Sequence, residues 1–214
     1  DNTIFSQWKL MKLIKEDNFK VNIIGQGADE ILAGYENYYY TNIFYLLKNF
    51  KFFSFLNEVH FLSINKNISY LKIFKTLIGK LLPNFITSIY HKRKNSRILQ
   101  IKKYIKIKPE NNYQENSNFH TDKINSVLNL NKLNISKNSL PKLLRYADRT
   151  SMHNSIEVRV PYLDHEVVEF CLNIPSDFII KNGLNKFILR HSFKDIISNN
   201  LFERKDKIGF TPYN

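Results

Sequence analysis

Apolar positions recur at helical spacing at the start of the chain, and a short apolar run follows directly. The first stretch predicts a helix over residues 6–17, with Trp8, Met11 and Ile14 among its apolar positions. The next, "KVNIIG", predicts a short buried strand that ends at Gly25. A helix is expected from Asp29, because acidic residues in a first turn suit the helix dipole. Strand, glycine turn and helix make half of a parallel α/β unit.

A second ordered region is predicted over residues 139–178. An apolar stripe there is typical of one face of a helix, and it consists of Leu140, Leu143, Leu144, Ala147 and Met152. Apolar and charged residues then alternate over 156–160, which predicts a strand. Asp164 can cap a further helix that buries Leu163, Val167 and Cys171. A last helix is predicted over residues 185–200, followed by a basic loop.

Residues 36–139 carry a weaker pattern. The aromatic stretch over 36–56 favours a helix, whereas residues 91–126 are first basic and then polar, with many asparagines. Such a composition is typical of a variable, partly flexible insertion. We therefore place a helical and polar insertion at about residues 40–138.

Composition limits the classes of function. The 214 residues amount to 25.5 kDa, enough for one large domain or two small ones. The single Cys171 excludes an internal disulfide and fits a reducing compartment. A net charge of +13 attracts polyanions, but a general composition rich in Lys, Asn and Ile is the favoured explanation of this charge. No signal peptide and no apolar run long enough for a bilayer is apparent.

The turn at residues 25–30 is the first candidate site. Backbone N–H groups of a glycine turn, together with the start of the following helix, form an anion site. A carboxylate placed there can hold Mg²⁺ that bridges phosphates, and Asp29 is the candidate, with Glu30 as the neighbour that orients or caps. Glycines that only form a turn, followed by acids that begin a helix, explain the same residues without a ligand.

Charged residues also accumulate within residues 143–164. Arg145 and Arg149 lie four positions apart on one helix face, where they repel each other unless an anion lies between them. Glu157, Arg159 and Asp164 are embedded in apolar sequence, which favours a structural ion-pair network. They can shape a site without touching a substrate.

The basic loop "RKDKIGF" is the third candidate. It offers Arg204, Lys205 and Lys207 beside a glycine, and a loop lysine can bind phosphate or stabilise developing charge. A solvated basic loop is the alternative. Cys171 and the histidines lack the spacing of zinc ligands, so no zinc site is predicted.

Three segments follow one another in an order that resembles a known family: "GQGADEILAGY", "LLRYADRTSMHNSIEVRVPYLDHEVVEF" and "ERKDKIGFTPY". They are similar to the synthetase domain of glutamine-hydrolysing asparagine synthetases. The resemblance implies that residues 1–214 are part of one such domain. Its fold would be helix-rich α/β, a Rossmann-like domain of the ATP-pyrophosphatase type, similar to adenine nucleotide alpha hydrolases. The family uses ATP and Mg²⁺ to convert the aspartate side chain into an acyl-adenylate, which ammonia from glutamine turns into asparagine.

The resemblance also implies roles for individual residues. Asp29 resembles the family's ligand for Mg²⁺ and pyrophosphate, and Gly25, Gln26 and Gly27 would line the nucleotide and acyl-adenylate pocket. Lys207 resembles the loop lysine that stabilises charge during adenylation. The segment from 145 to 164 would form the supporting wall of the pocket.

Two departures from the family pattern affect these expectations. The family's Ser-Gly-Gly-x-Asp-Ser loop and its glutaminase domain are expected upstream of residue 1, so the fragment alone is expected to be inactive. Gln26 stands where the best-studied members have a glutamate, proposed to accept a proton from ammonia. An amide is no useful base at neutral pH, although its carbonyl can still accept a hydrogen bond.

Several alternatives stay open at this stage. The acceptor could be another carboxylate, such as a sugar acid of a surface polysaccharide, or the protein could be a non-catalytic relative that acts as a scaffold. A nucleic-acid-binding module built on the basic middle segment is a third alternative, disfavoured because its aromatics show no stacking pattern. The main hypothesis is a cytoplasmic ligase that acts on small molecules, with the glutaminase domain of its own chain as partner, no nucleic-acid or membrane partner, and an oligomeric state left open.

Overall fold

The computed structural model describes residues 2–81, 124, 126–202 and 204–205, and these form a helix-rich α/β fold. The first half contains α1 (Asn2–Glu16), β1 (Val21–Ile23), α2 (Ala28–Ile31), α3 (Glu36–Lys48), α4 (Phe52–Lys66) and α5 (Tyr70–Leu81). The second half begins with α6 (Val127–Ser136), α7 (Ser139–His153), β2 (Glu157–Arg159), a 3₁₀ turn (Pro161–Leu163) and α8 (His165–Asn173). It continues with α9 (Ser176–Ile179), β3 (Ile180–Lys181), β4 (Leu184–Asn185), α10 (Phe187–Ser192) and α11 (Asn199–Phe202).

Two strands from distant parts of the sequence form a parallel pair. Val21 of β1 lies opposite Glu157 of β2, and Ile23 lies opposite Arg159. The backbone N–H of Ile24 extends the ladder by donating to the Arg159 carbonyl at 2.9 Å. Since the strands are parallel, the turn at residues 25–27 and the 3₁₀ turn emerge at the same edge.

Most predicted elements of the ordered regions are confirmed. Helix α1, strand β1, helix α7 and strand β2 lie where the apolar patterns predict them. The Asp164 side chain caps α8 by accepting the Glu166 N–H at 2.9 Å. The buried positions Leu140, Ala147 and Cys171 also agree.

Five expectations are wrong. Strand β1 is exposed rather than buried, since Val21 and Ile23 are 40% and 69% exposed. The helix from Asp29 ends at Ile31, and the predicted helix over 185–200 is divided into α10 and α11. Met152 and Val167, expected in the apolar interior, are 61% and 38% exposed. Both lie at the edge of their apolar stripes, where no described element covers them.

Helix α2 is short because its chain turns sharply, and buried side chains replace the lost helical hydrogen bonds. Ala33 has a positive φ of 55°, which no right-handed helix accommodates. Tyr38 donates its hydroxyl to the Glu30 carbonyl at 3.1 Å, and Asn131 donates to the Ile31 carbonyl at 3.0 Å. The carbonyl groups at the end of α2 are thus satisfied without a longer helix.

The larger apolar core lies where the sequence predicts an insertion. Helices α3, α4, α5 and α6 contribute most of its fully buried side chains, Tyr38, Ile43, Leu46, Leu62, Ile73 and Val127 among them. This part of residues 40–138 therefore packs as a core. The polar stretch over 91–126, expected to be flexible, lies outside the described residues except for 124 and 126.

A small hairpin of β3 and β4 joins this core through one buried carboxylate. Glu58 of α4 accepts the backbone N–H groups of Asn182 at 2.6 Å and Gly183 at 3.0 Å. Burial raises the pKa of the Glu58 carboxyl, and the bonds from Gly183 and Asn182 oppose that shift. The hairpin is thereby fixed against α4, with the chain that follows β4 beside Gly34. No helix in the described part of the chain is long and apolar enough to cross a membrane.

Candidate active site

The glycine turn follows β1 directly and is shaped by one close contact. Gly27 has a φ of 94°, and a Cβ atom there would lie 2.3 Å from Cδ2 of Leu163 in the 3₁₀ turn. Gly25 has no atom within 4 Å of such a Cβ position. Glycine is therefore required at 27 by both the backbone and the available space, whereas Gly25 leaves room beside the turn.

Asp29 lies one turn further on, with its carboxylate over Gly34. A Cβ atom on Gly34 would lie 1.8 Å from Oδ1 of Asp29, so only glycine permits this arrangement. The Gly34 N–H also donates to the Asp29 backbone carbonyl at 2.7 Å. The sharp turn after α2 thus holds the carboxylate in one place.

The same carboxylate oxygen is paired with a lysine from the far end of the chain. Lys186 Nζ lies 2.7 Å from Asp29 Oδ1, and the two side chains are only 27% and 28% exposed. The turn that carries Lys186 is fastened to the motif, because the neighbouring Asn185 side chain donates to the Gly34 carbonyl at 2.9 Å. A carboxylate and an ammonium group therefore stand side by side next to the glycine turn.

Sequence reasoning missed Lys186, although one local signal was present. The residue precedes "FILR" at the start of α10, where a cation opposes the helix dipole. It also adopts a left-handed conformation, with a φ of 52°. In the sequence, only the lysine at a helix start is visible. It indicates a compensating anion elsewhere in the fold, but the sequence does not identify that anion as Asp29.

Glu30 points away from Asp29 into the protein interior. Its side chain is 1% exposed and accepts hydrogen bonds from the Tyr35 hydroxyl and, at 3.0 Å, from the Ser139 hydroxyl. Burial raises the pKa of the Tyr35 hydroxyl, and the hydrogen bond to Glu30 adds to that shift. Glu30 therefore orients the motif against the start of α7, in agreement with the expected orienting role.

The structure brings Gly25, Gln26, Gly27 and Asp29 together at the edge where β1 ends. Gln26 is half-buried in the turn. Lys207 lies outside the described residues, so its position relative to Asp29 stays a prediction.

The charged residues on α7 and β2 behave differently from the expected buried network. Arg145 and Arg149 are exposed. Glu157 and Arg159 do form an ion pair at 2.8 Å, but their side chains are 59% and 63% exposed. Their alternation in β2 turns both side chains to the solvent, and such a pair contributes little to stability. The supporting contact of the predicted wall comes instead from Leu163, which packs on Gly27.

The described residues include no group of three or more His, Cys, Asp or Glu side chains that could hold a metal alone. Mg²⁺ in nucleotide sites is commonly held by one or two carboxylates, with substrate phosphates and water completing the octahedron. The half-buried Asp29 carboxylate fits that mode of binding, with Lys186 beside it to balance phosphate charge.

Replacing Gly34 by alanine should displace the Asp29 carboxylate and lower catalysis. The new methyl group would collide with Oδ1 at 1.8 Å and with the Asp29 Cα atom at 2.8 Å. A misplacement of about 1 Å at a reacting group can cost about 100-fold in rate, and we expect a loss of that order in the ATP-dependent pyrophosphate release that the family resemblance implies for the intact protein. Gly79→Ala is the matched control, because its Cβ position is open. Equal rates for the two variants would contradict the assigned position of Asp29.

Comparison with known proteins indicates one family. The profile of the asparagine synthase family matches residues 1–214. Asparagine synthetase [glutamine-hydrolyzing] 1 of Bacillus subtilis is 40% identical over 68 residues, which are 32% of this chain and 11% of that protein. The asparagine synthetases of Gallus gallus and Homo sapiens are 46% and 44% identical over 50 residues, 23% of this chain and 9% of each.

The matched segments thus span about a tenth of the length of these curated relatives. No solved structure matches the chain.

Proposed function

Because the chain belongs to the asparagine synthase family, we propose that it contributes to ATP-dependent amidation of the aspartate side chain. The proposed donor is ammonia released from glutamine by a glutaminase domain of the same protein. The proposal includes a Rossmann-like fold of the ATP-pyrophosphatase type, with residues 1–214 as part of one synthetase domain, and a cytoplasmic location.

The proposed reaction has two steps. An oxygen of the aspartate carboxylate attacks the α-phosphorus of ATP, the bond to the β-phosphate oxygen breaks, and pyrophosphate leaves with its electron pair. Ammonia then attacks the acyl carbon, loses a proton, and AMP leaves as the new amide forms. Both steps build negative charge on phosphate oxygens, so positive groups near those oxygens lower the barrier.

One observation carries the proposal: the Asp29–Lys186 pair beside a glycine turn at the carboxyl edge of two parallel strands. Ligands of open α/β sheets bind at this edge, outside the carboxyl ends of the strands. The ammonium group supplies positive charge for the leaving pyrophosphate, and the turn supplies backbone N–H groups. These features suit adenylation better than they suit a scaffold without a ligand.

Each predicted site residue has a role in this proposal. Gly25, Gln26 and Gly27 would line the nucleotide and acyl-adenylate pocket, and Lys207 would stabilise charge during adenylation. Asp29 would hold Mg²⁺, which supplies charge neutralisation on the phosphate oxygens when bound. Lys186 would act next to Asp29, where its ammonium group orients the carboxylate.

The deciding experiment measures pyrophosphate release by the intact protein supplied with ATP, Mg²⁺ and ammonia, with and without aspartate. Release that depends on aspartate, with asparagine as product, is the expected result. If pyrophosphate is released only with another carboxylate, that carboxylate and not aspartate is the acceptor. Absence of release with a full panel of amino acids and acidic sugars would overturn the enzymatic proposal.

Gln26→Glu tests whether the amide limits the second step. A carboxylate at this half-buried position can accept a proton from the attacking ammonia, so amide formation with ammonia should rise by up to about 100-fold, the lower end of general-base effects, or stay unchanged if proton transfer is not limiting. Pyrophosphate release should change less than amide formation. Complete loss of amide formation, with the protein still folded, would show that Gln26 is adapted to a different acceptor.

A further inference from the structure

A concave surface lined by lysines lies beside the candidate site. This lysine cleft has a volume of about 700 Å³ and is formed by Glu36, Tyr39, Lys66, Lys72, Asn185 and Lys205. Its walls come from α3, the end of α4, the start of α5 and the segments around β4 and residue 205. A volume of this size is typical of small-molecule sites.

The charge of the lysine cleft is positive after internal pairing. Glu36 pairs with Lys72 at 3.4 Å, but both side chains are about 60% exposed, so the pair is weak. Lys66 donates to the Lys205 backbone carbonyl, which joins two walls of the cleft and holds the Lys66 ammonium there. With one acid against three lysines, the concave shape concentrates positive potential.

Tyr39 lines the lysine cleft beside Lys66. The side chain is 4% exposed, and its hydroxyl lies against the backbone of Asn185. The Lys66 ammonium lies 5.4 Å from the centre of its ring, so the aromatic face helps to hold that charge at the cleft.

We propose that the lysine cleft is a second anion-binding site, which takes a small oxyanion carrying several negative charges. The shared chemistry is that of a diphosphate or a polycarboxylate, and Asn185 supplies a neutral polar group beside the lysines. The cleft is separate from the turn at residues 25–29 and goes beyond the proposed amidation, because none of the described residues given a role in that reaction lines it.

The position of the cleft connects it to the candidate active site. Gly34 and Asn185 line the cleft, and the same two residues are joined by the hydrogen bond that fastens the Lys186 turn. Asp29 rests on Gly34 from the other side. An anion bound in the cleft therefore lies against Asn185, the neighbour of Lys186 in the chain, and can influence the geometry of the Asp29–Lys186 ion pair.

The test is calorimetric titration of the intact protein with pyrophosphate and, separately, with citrate, in low salt with EDTA and without ATP. Each Lys72→Gln or Lys205→Gln substitution should weaken binding of the preferred anion about five-fold, the effect of one charge contact at 4 Å in a water-like medium. Added salt should weaken it further. Stronger binding of pyrophosphate indicates a phosphate ligand, and stronger binding of citrate indicates a carboxylate ligand.

Lys75→Gln is the matched control, since it removes the same charge from the same helix at an exposed position outside the cleft. Asp29→Asn distinguishes the two sites, because an anion bound at the turn of residues 25–29 would respond to this substitution and not to Lys72→Gln. The proposal is overturned by absence of binding, by equal weakening from Lys72→Gln and Lys75→Gln, or by binding that responds only to Asp29→Asn. None of these results bears on aspartate-dependent pyrophosphate release, so the two proposals fail separately.

Discussion

Asp29→Ala and Asp29→Asn should each reduce ATP-dependent pyrophosphate release by the intact protein at least about 100-fold, the cost of removing one preorganised electrostatic group. Both substitutions remove the carboxylate proposed to hold Mg²⁺ and leave the Lys186 ammonium without its partner at 2.7 Å. The asparagine variant keeps the size of the side chain, so its loss measures charge rather than packing. Initial rates with saturating ATP and aspartate give the comparison.

A change of folding must be separated from a change of chemistry. The Asp29–Lys186 pair is only about one quarter exposed, so removing its carboxylate leaves a largely buried ammonium unpaired and should also lower the melting temperature, which is measured alongside the rate. Glu16→Gln is a suitable control, because it removes a carboxylate from an exposed pair on α1. Rates within a few-fold of the parent protein for both Asp29 variants would disprove the site assignment.

Gly183→Ala should give a large loss of stability. Its φ of 66° lies in the left-handed region, and the new Cβ atom would lie 2.8–2.9 Å from backbone atoms of Phe61 and Leu62. A left-handed alanine costs about 1–2 kcal/mol, and a collision with the backbone adds about 1–3 kcal/mol. The expected decrease in unfolding free energy is therefore roughly 3 kcal/mol, or about 6–12 °C in melting temperature.

The same substitution should also lower pyrophosphate release, because the hairpin carries Asn185 and Lys186 to the site. Differential scanning calorimetry and the release assay on one preparation check both effects. Gly79→Ala serves as the matched control: it adds the same methyl group in open space on α5 and should stabilise the helix by up to about 1 kcal/mol. A melting temperature for Gly183→Ala equal to that of the control would refute the close packing of the hairpin on α4.

Local sequence signals predicted the strand, the glycine turn and α7 because each depends on neighbouring residues. The run "KVNIIG" has the length and composition of a strand, and the stripe on α7 has the helical period. The helix from Asp29 was predicted too long, because the side chains that satisfy its end, Tyr38 and Asn131, come from other helices. Tertiary contacts thus overrode a local preference.

The core of α3 to α6 is a part of the fold that the sequence pattern did not predict. Their aromatic and asparagine-rich sequence suggested a variable insertion, yet their buried faces meet to form the larger apolar cluster. Periodicity describes one helix at a time and contains no information about which faces meet. The hairpin of β3 and β4 is likewise too short to give a period, and its position depends on the buried Glu58.

By itself, the sequence determined the order of the motifs, the family and the identity of the carboxylate at the candidate site, because these depend on residue types at short spacing. Only the tertiary structure decided that Lys186 is the partner of Asp29, that Glu30 faces inward to Tyr35 and Ser139, and that lysines from three segments share one cleft. The physical reason is the range of the interactions. A turn or a cap forms between neighbours in the chain, whereas an ion pair or a cleft requires distant segments to be brought together by the packing of the apolar core.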